Sequence, residues 1–167
     1  MAPDEWNDLQ LKPGQAENIP GLARIWHDGW HDGHAAIVAP ELTASRTLEE
    51  FEDRTRAHLP GTLAAWNGGR IVGFCMIEGD ELYQFYVAPS LRGSGLASVL
   101  MERTEAAMGP GEKFLVCTVG NRRAARFYER AGWRRTATES YTVEVALGAR
   151  VLDVWRYEKT LPGQGNS

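Results

Sequence analysis

From Glu81 to Val119 the chain reads as a continuous strand–helix–strand passage, and this limits its fold more than any other feature. Glu81 to Val87 is rich in aromatics and follows the Gly79-Asp80 turn, as a strand does. Pro89 prevents its continuation, and helix-spaced sequence runs from about Ser94 to Met108, ending at Gly109-Pro110-Gly111. Lys113 to Val119 is the next strand. A second such passage follows through a short helix capped by Asn121 and stopped at Gly132. Strands joined through a crossover helix lie parallel, so the sheet must be partly parallel with helices on its faces.

The remaining elements follow from period and punctuation. Leu9 to Lys12 is a short first strand. Gln15 to Trp30 is a helix, with Ile19, Leu22, Ala23, Ile25 and Trp26 at helical spacing. Gly33 and Pro40 are read as breaking the chain into a loop. Thr47-Leu48-Glu49-Glu50 has a capping-box pattern and starts a helix that ends near Pro60-Gly61. Thr62–Trp66 and Arg70–Glu78 form a hairpin about Asn67-Gly68-Gly69. Ser140–Ala146 and Val151–Leu161 are two last strands joined at Gly148. No linker or repeat divides residues 1–161, which read as one domain. Pro162–Ser167 is an expected disordered tail.

Composition serves mainly to exclude. The 167 residues carry a net charge of −4 with Lys and Arg scattered, so no nucleic-acid stripe or basic membrane face is present. No apolar run approaches the roughly 20 residues needed to cross a bilayer. Met1 to Gln10 is polar and acidic, unlike a signal peptide, which points to the cytoplasm. Two cysteines, Cys75 and Cys117, lie in apolar runs and read as buried free thiols. With Cys75 on the third strand and Cys117 on the fifth, an intervening fourth strand would hold them about 10 Å apart, beyond disulfide reach.

The chemistry concentrates between Val87 and Ala97. A helix that begins in glycines offers free N–H groups and a partial positive charge, and glycines let an anion approach the backbone. Such a loop suits a pyrophosphate; taken alone, it also suits a tight strand-to-helix turn with no ligand. A nicotinamide-dinucleotide fingerprint is rejected. It requires Gly or Ala where Ser98 stands, and an acidic residue at the end of the next strand, where Val119-Gly120-Asn121 has none.

Arg92-Gly93-Ser94-Gly95-Leu96-Ala97 satisfies every specified position of a Gln/Arg-x-x-Gly-x-Gly/Ala signature. After the next strand comes Asn121-Arg122-Arg123-Ala124-Ala125-Arg126-Phe127-Tyr128-Glu129-Arg130-Ala131-Gly132-Trp133, a pattern whose final Phe is here Trp133. With these two motifs the chain resembles the GNAT superfamily of acyl-CoA-dependent N-acyltransferases over about residues 9 to 161. The resemblance implies an α/β (α+β) fold. Its mixed, largely antiparallel sheet has six to seven strands, is flanked by helices, and splays between strands four and five. Acetyl-CoA is the implied cofactor, and no metal is expected.

The resemblance also implies roles. The backbone of Arg92, Gly93, Ser94, Gly95, Leu96 and Ala97 would cradle the pyrophosphate, with Ser98 adding a hydroxyl. Phe85, Tyr86 and Val87 would bond the pantetheine arm as an added strand does. Asn121 would meet the pantetheine amides, with Ala124 and Phe127 beside it, and Tyr128 would sit near the thioester sulfur. A neutral amine attacking the thioester directly requires a polarised carbonyl and a proton for the leaving thiolate. Tyr128 is the expected acid, although it also reads as a core aromatic beside Phe127. Glu81 is the candidate base with Glu78 nearby, although both also read as solvated turn carboxylates. Tyr83 and Gln84 are expected on opposite faces of their strand by alternation, and Tyr83 is the candidate of the two to line the acceptor pocket.

The stretch from Trp26 to His34 holds three histidines. His27 and His31 share a helix face, but Gly29 and Gly33 loosen any metal geometry. Trp30, His31 and His34 are instead candidates to line the acceptor pocket, and His34 there would be a base that titrates near neutrality. Trp6, Trp155 and Tyr157 read as core or sheet-face residues.

The expected activity is acetyl transfer from acetyl-CoA to an amine of a small-molecule or amino-acid-like acceptor. The alternatives are a non-catalytic acyl-CoA-binding sensor or scaffold and a protein or peptide N-acetyltransferase. The expected partner is the amine, not nucleic acid or membrane, and the resemblance leaves room for a homodimer.

Overall fold

The computed structural model describes residues 5–145 and 148–163. Its elements run β1 (Gln10–Pro13), α1 (Ile19–His34), α2 (Pro40–Ser45), α3 (Leu48–His58), β2 (Thr62–Asn67), β3 (Arg70–Glu78) and β4 (Glu81–Val87). They continue α4 (Leu96–Met108), β5 (Gly111–Thr118), α5 (Arg122–Arg130), β6 (Arg134–Val145) and β7 (Gly148–Leu161). The strands form one seven-stranded sheet in the order β1-β2-β3-β4-β5-β7-β6. Every neighbouring pair is antiparallel except β4 and β5, which are parallel. The fold class expected from the sequence is therefore present. Ala146, the last residue of one expected strand, and residues 164–167 of the expected tail lie outside the described residues.

Two layers of apolar side chains cover the sheet. On one face α1 and α3 bury Leu22, Trp26 and Phe51 against Phe74 and Met76. Trp26 is fully buried, and a large apolar side chain so placed contributes about 1.5–3 kcal/mol. On the other face Met101, Ala125 and Trp133 pack on Leu115 and Tyr157. The Thr47 hydroxyl caps α3 by accepting the Glu50 N–H at 3.1 Å, a contribution of about 1 kcal/mol. Asn121 caps α5 in the same way, its Oδ1 accepting from the Ala124 N–H at 3.3 Å. Cys75 on β3 and Cys117 on β5 are buried and free, with β4 between them.

Three expectations change. The first helix does not stop near Trp30; it runs through Gly33 to His34, and the short helix α2 occupies part of the expected loop. The strand after α5 starts at Arg134 rather than Ser140. The second strand–helix–strand passage makes no parallel pair, because β7 inserts between β5 and β6 and bonds to both antiparallel. Among the described residues no helix is long and apolar enough to cross a membrane.

Candidate active site

The parallel junction is where the sheet opens. β4 and β5 pair only at Glu81 and Phe114, supported by the Phe114 N–H donating to the Asp80 carbonyl at 3.1 Å and by a Lys113–Asp80 ion pair at 2.9 Å. Beyond it the strands part, and α5 presents Phe127 and Tyr128 at the opening, Phe127 stacking on Phe85 with ring centroids 5.6 Å apart. A cavity lies on each side. Phe85, Tyr86, Asn121, Ala124 and Tyr128 line both, so the two cavities meet at these residues.

The first cavity, about 360 Å³, follows the glycine loop. The Ala88 N–H is tied to the Val72 carbonyl at 2.8 Å, and a 3-10 turn at Pro89–Leu91 carries the chain off the sheet. Gly93 (φ +75°) and Gly95 (φ +86°) then adopt left-handed backbone, which glycine tolerates without strain. The Trp6 indole N–H fixes the loop by donating to the Ser94 carbonyl at 3.1 Å. Val87, Arg92, Gly93, Gly95, Ala97, Ser98 and Phe127 line this cavity together with the five shared residues. Ser94 and Leu96, expected to contribute backbone N–H groups, are not in the lining with their side chains: the Ser94 hydroxyl turns to the Leu91 carbonyl, and the Leu96 side chain is buried in the core. The first turn of α4 leaves backbone N–H groups without helical partners.

Arg123 and Arg130, seven apart on α5, also line this cavity, as do Gly29 and Gly33 of α1. None of these is among the cofactor residues expected from the sequence, although a seven-residue spacing puts two arginines on one helix face. The glycines bring α1 close: a Cβ on Gly33 would stand 3.0 Å from the Asn121 side-chain nitrogen. Arg92 bridges to α1 through Asp32 at 2.8 Å. The lining holds three arginines and no carboxylate, which fits a pyrophosphate and a further phosphate.

The second cavity, about 280 Å³, lies beneath α1 and α3. Trp30 and His34 stack there with centroids 4.7 Å apart. His34 Nδ1 donates to the Trp30 carbonyl at 2.8 Å. A carbonyl only accepts, so this bond assigns the ring proton to Nδ1 and leaves Nε2 as an acceptor. Burial, and then the Arg46 and His31 charges, lower the imidazole to a pKa of about 4, so it is neutral at physiological pH. His31 lies outside the lining, its Nε2 donating to the Arg46 carbonyl at 2.7 Å.

Tyr83 and Gln84 both line this cavity, contrary to strict alternation. The pairing of β3 with β4 skips Tyr83: Met76 faces Gln84 and Ile77 faces Leu82. The extra residue is a β-bulge, which resets the alternation. Tyr83 packs edge-on to Trp26 at 6.4 Å and stacks on His58 at 4.4 Å.

Glu81 is outside both linings, at the paired end of β4. Its carboxyl is raised, first by burial and then by Glu78, while Glu78 itself bonds His58 Nδ1 at 2.8 Å. Burial, then Cys117 and Tyr86, push the Tyr128 phenol well up, so it stays protonated. Arg46 and Arg54 also line the cavity and carry no mark in the sequence that separates them from surface arginines. Among the described residues no three metal-ligating side chains converge.

Residues 20–133 match the model of the acetyltransferase (GNAT) family. An uncharacterized N-acetyltransferase of Mycobacterium bovis is 35% identical over 115 residues, covering 64% of this chain and 71% of that protein. The peptidyl-lysine N-acetyltransferase YjaB of Escherichia coli is 26% identical over 131 residues, covering 77% and 84%. The solution structure of its apo form superposes with a TM-score of 0.66 at 21% identity, covering 93% of this chain and 99% of that one. The crystal structure of the PaiA N-acetyltransferase of Thermoplasma acidophilum, in complex with coenzyme A, gives 0.65 at 18% identity, covering 91% and 98%.

Proposed function

The chain belongs to the acetyltransferase (GNAT) family and is an acetyl-CoA-dependent N-acetyltransferase; on that premise we propose that its acceptor is the amine of a small-molecule or amino-acid-like compound, attacked directly across the β4/β5 opening. The observation that carries this reading is the meeting of the two cavities at Phe85, Tyr86, Asn121, Ala124 and Tyr128. A donor arm entering from the glycine loop and an amine entering from beneath α1 converge there.

Bound acetyl-CoA supplies the acetyl group as an activated thioester. In this reading the glycine loop, the first turn of α4 and Arg123 and Arg130 hold its phosphates. Backbone groups of Phe85, Tyr86 and Val87 align the arm and polarise the carbonyl. The amine nitrogen forms its bond to the acyl carbon as the carbon–sulfur bond breaks. Tyr128 gives its phenolic proton to the departing sulfur, an effect of about 10²–10⁴ in rate. His34 Nε2 accepts a hydrogen bond from the incoming amine and orients its lone pair. The proton shed by the acylated nitrogen leaves through water and restores the Tyr128 phenol that protonated the sulfur; Glu81, outside both linings, is reached only by such a relay.

The second cavity, at about 280 Å³, suits a compact acceptor. A peptidyl-lysine acceptor is the second reading, favoured by what the E. coli relative acts on. A cytoplasmic location belongs to the same proposal, since unpaired Cys75 and Cys117 suit a reducing compartment. The test is free-thiol release from acetyl-CoA against a panel of amines, amino acids and lysine-containing peptides. Release that depends on a small acceptor supports the reading; release with peptides alone replaces it with the second.

A further inference from the structure

We propose that the acceptor amine also carries a carboxylate, as an amino acid does, and that the Arg54 guanidinium, flanked by Arg46, binds that carboxylate in the cavity beneath α1 and α3. The proposal rests on the acceptor side of the site assigned above and names its substrate class.

The cavity has the charge for this. Its lining holds two arginines and no Asp or Glu, and His34 there is neutral. Arg46 is held by Glu50, which lies outside the lining. Arg54 has no carboxylate partner among the described residues: its Nη2 donates to the Tyr83 hydroxyl at 3.2 Å, and the remaining bonds are left to be made. Arg46 Nε is also buried with no hydrogen-bond partner among the described residues. Arg46 Nε is therefore short of an acceptor, and an unmade bond at a buried donor is costly; the half-buried Arg54 lines the cavity with donors still to be matched. Burial first, and then the Arg54 charge, hold the Arg46 guanidinium below its usual range, and a bound anion in the cavity that both line would offset both effects.

The geometry is organised in advance. The Arg54 guanidinium lies 4.6 Å over the Trp26 ring and 5.6 Å over Phe51, which holds its plane. Tyr83 is fixed by stacking on His58. Because the Tyr83 oxygen accepts from Arg54, its own proton is free to donate to the same carboxylate. A planar guanidinium matches a carboxylate in two parallel bonds. The same charge repels a second cation, which disfavours polyamines as acceptors.

The test is calorimetric titration of coenzyme A-loaded protein with a set of amino acids, each beside its decarboxylated amine and its methyl ester. Wild type, Arg54→Gln and Arg54→Lys are compared, and free-thiol release is scored in parallel. The expected result is that at least one acid binds wild type about tenfold or more tighter than its amine and ester. Arg54→Gln abolishes the difference and Arg54→Lys retains part of it. Amines that bind as tightly as their acids, or an Arg54→Gln that weakens acid and amine alike, overturn the proposal. Should Arg54→Gln fail to fold, the wild-type comparison still decides. Carboxylate-dependent binding without thiol release leaves the anion site standing and removes transfer to these acceptors. Release with neutral or cationic amines and no preference for acids keeps transfer and overturns the anion site.

Discussion

The Tyr86 ring occupies the space that Gly29 leaves empty: a Cβ on Gly29 would stand 2.5 Å from one ring carbon and 2.9 Å from another. Gly29 therefore sets how closely α1 lies against the end of β4, where both cavities meet.

Gly29→Ala forces Tyr86 or α1 to move, at a net cost of about 1–3 kcal/mol of the overpacking kind. Gly21, on the same helix, has nothing within 4 Å of an added Cβ, so Gly21→Ala stabilises by up to about 1 kcal/mol through helix propensity. Thermal unfolding of the two variants reads opposite signs. Coenzyme A titration reads weaker binding in Gly29→Ala alone.

His34 makes stability depend on pH in one window. The unfolded chain takes up the imidazole proton near pH 6.5, whereas the folded chain does so only near pH 4. The unfolded state thus binds more protons between these values, so this contribution is complete above about pH 6.5 and is lost as pH falls toward 4. Its size is about 3 kcal/mol. Urea unfolding at pH 7.5 and pH 4.5 reads a smaller drop in His34→Gln than in wild type.

Burial pushes the Cys75 thiol up to about 11 and the Cys117 thiol up to about 12. Neither forms the reactive thiolate at pH 8. An aromatic disulfide reagent detects no protein thiol in the native state and two equivalents in denaturant, and its native signal then reports coenzyme A alone. A rapidly modified native thiol would show either that the core around β3 opens readily to expose Cys75 or that the reagent reaches Cys117 through the cavity it lines.

Local rules were legible in the sequence and non-local ones were not. The Thr47 and Asn121 caps follow from a side chain bonding its own helix, and both are present. The Gly93 and Gly95 turn follows from backbone freedom at a strand-to-helix junction. Gly33 reads as a helix breaker, but its missing side chain serves contact with Asn121, 88 positions away, and α1 runs through it. The Tyr83 bulge depends on its register with Met76 and Ile77, and the place of β7 on pairing across the sheet. Arg54 could not be told from Arg56 in sequence, since only packing against Trp26 brings it to the cavity.

The most direct test of the central claim, acetyl transfer at the junction of the two cavities, is thiol release by Tyr128→Phe beside wild type at saturating acetyl-CoA and acceptor. The account predicts a kcat lower by about tenfold or more, with little change in the KM for acetyl-CoA, because the phenol acts on the leaving sulfur and not in binding. An unchanged kcat at a step limited by chemistry would contradict it and remove Tyr128 from the reaction.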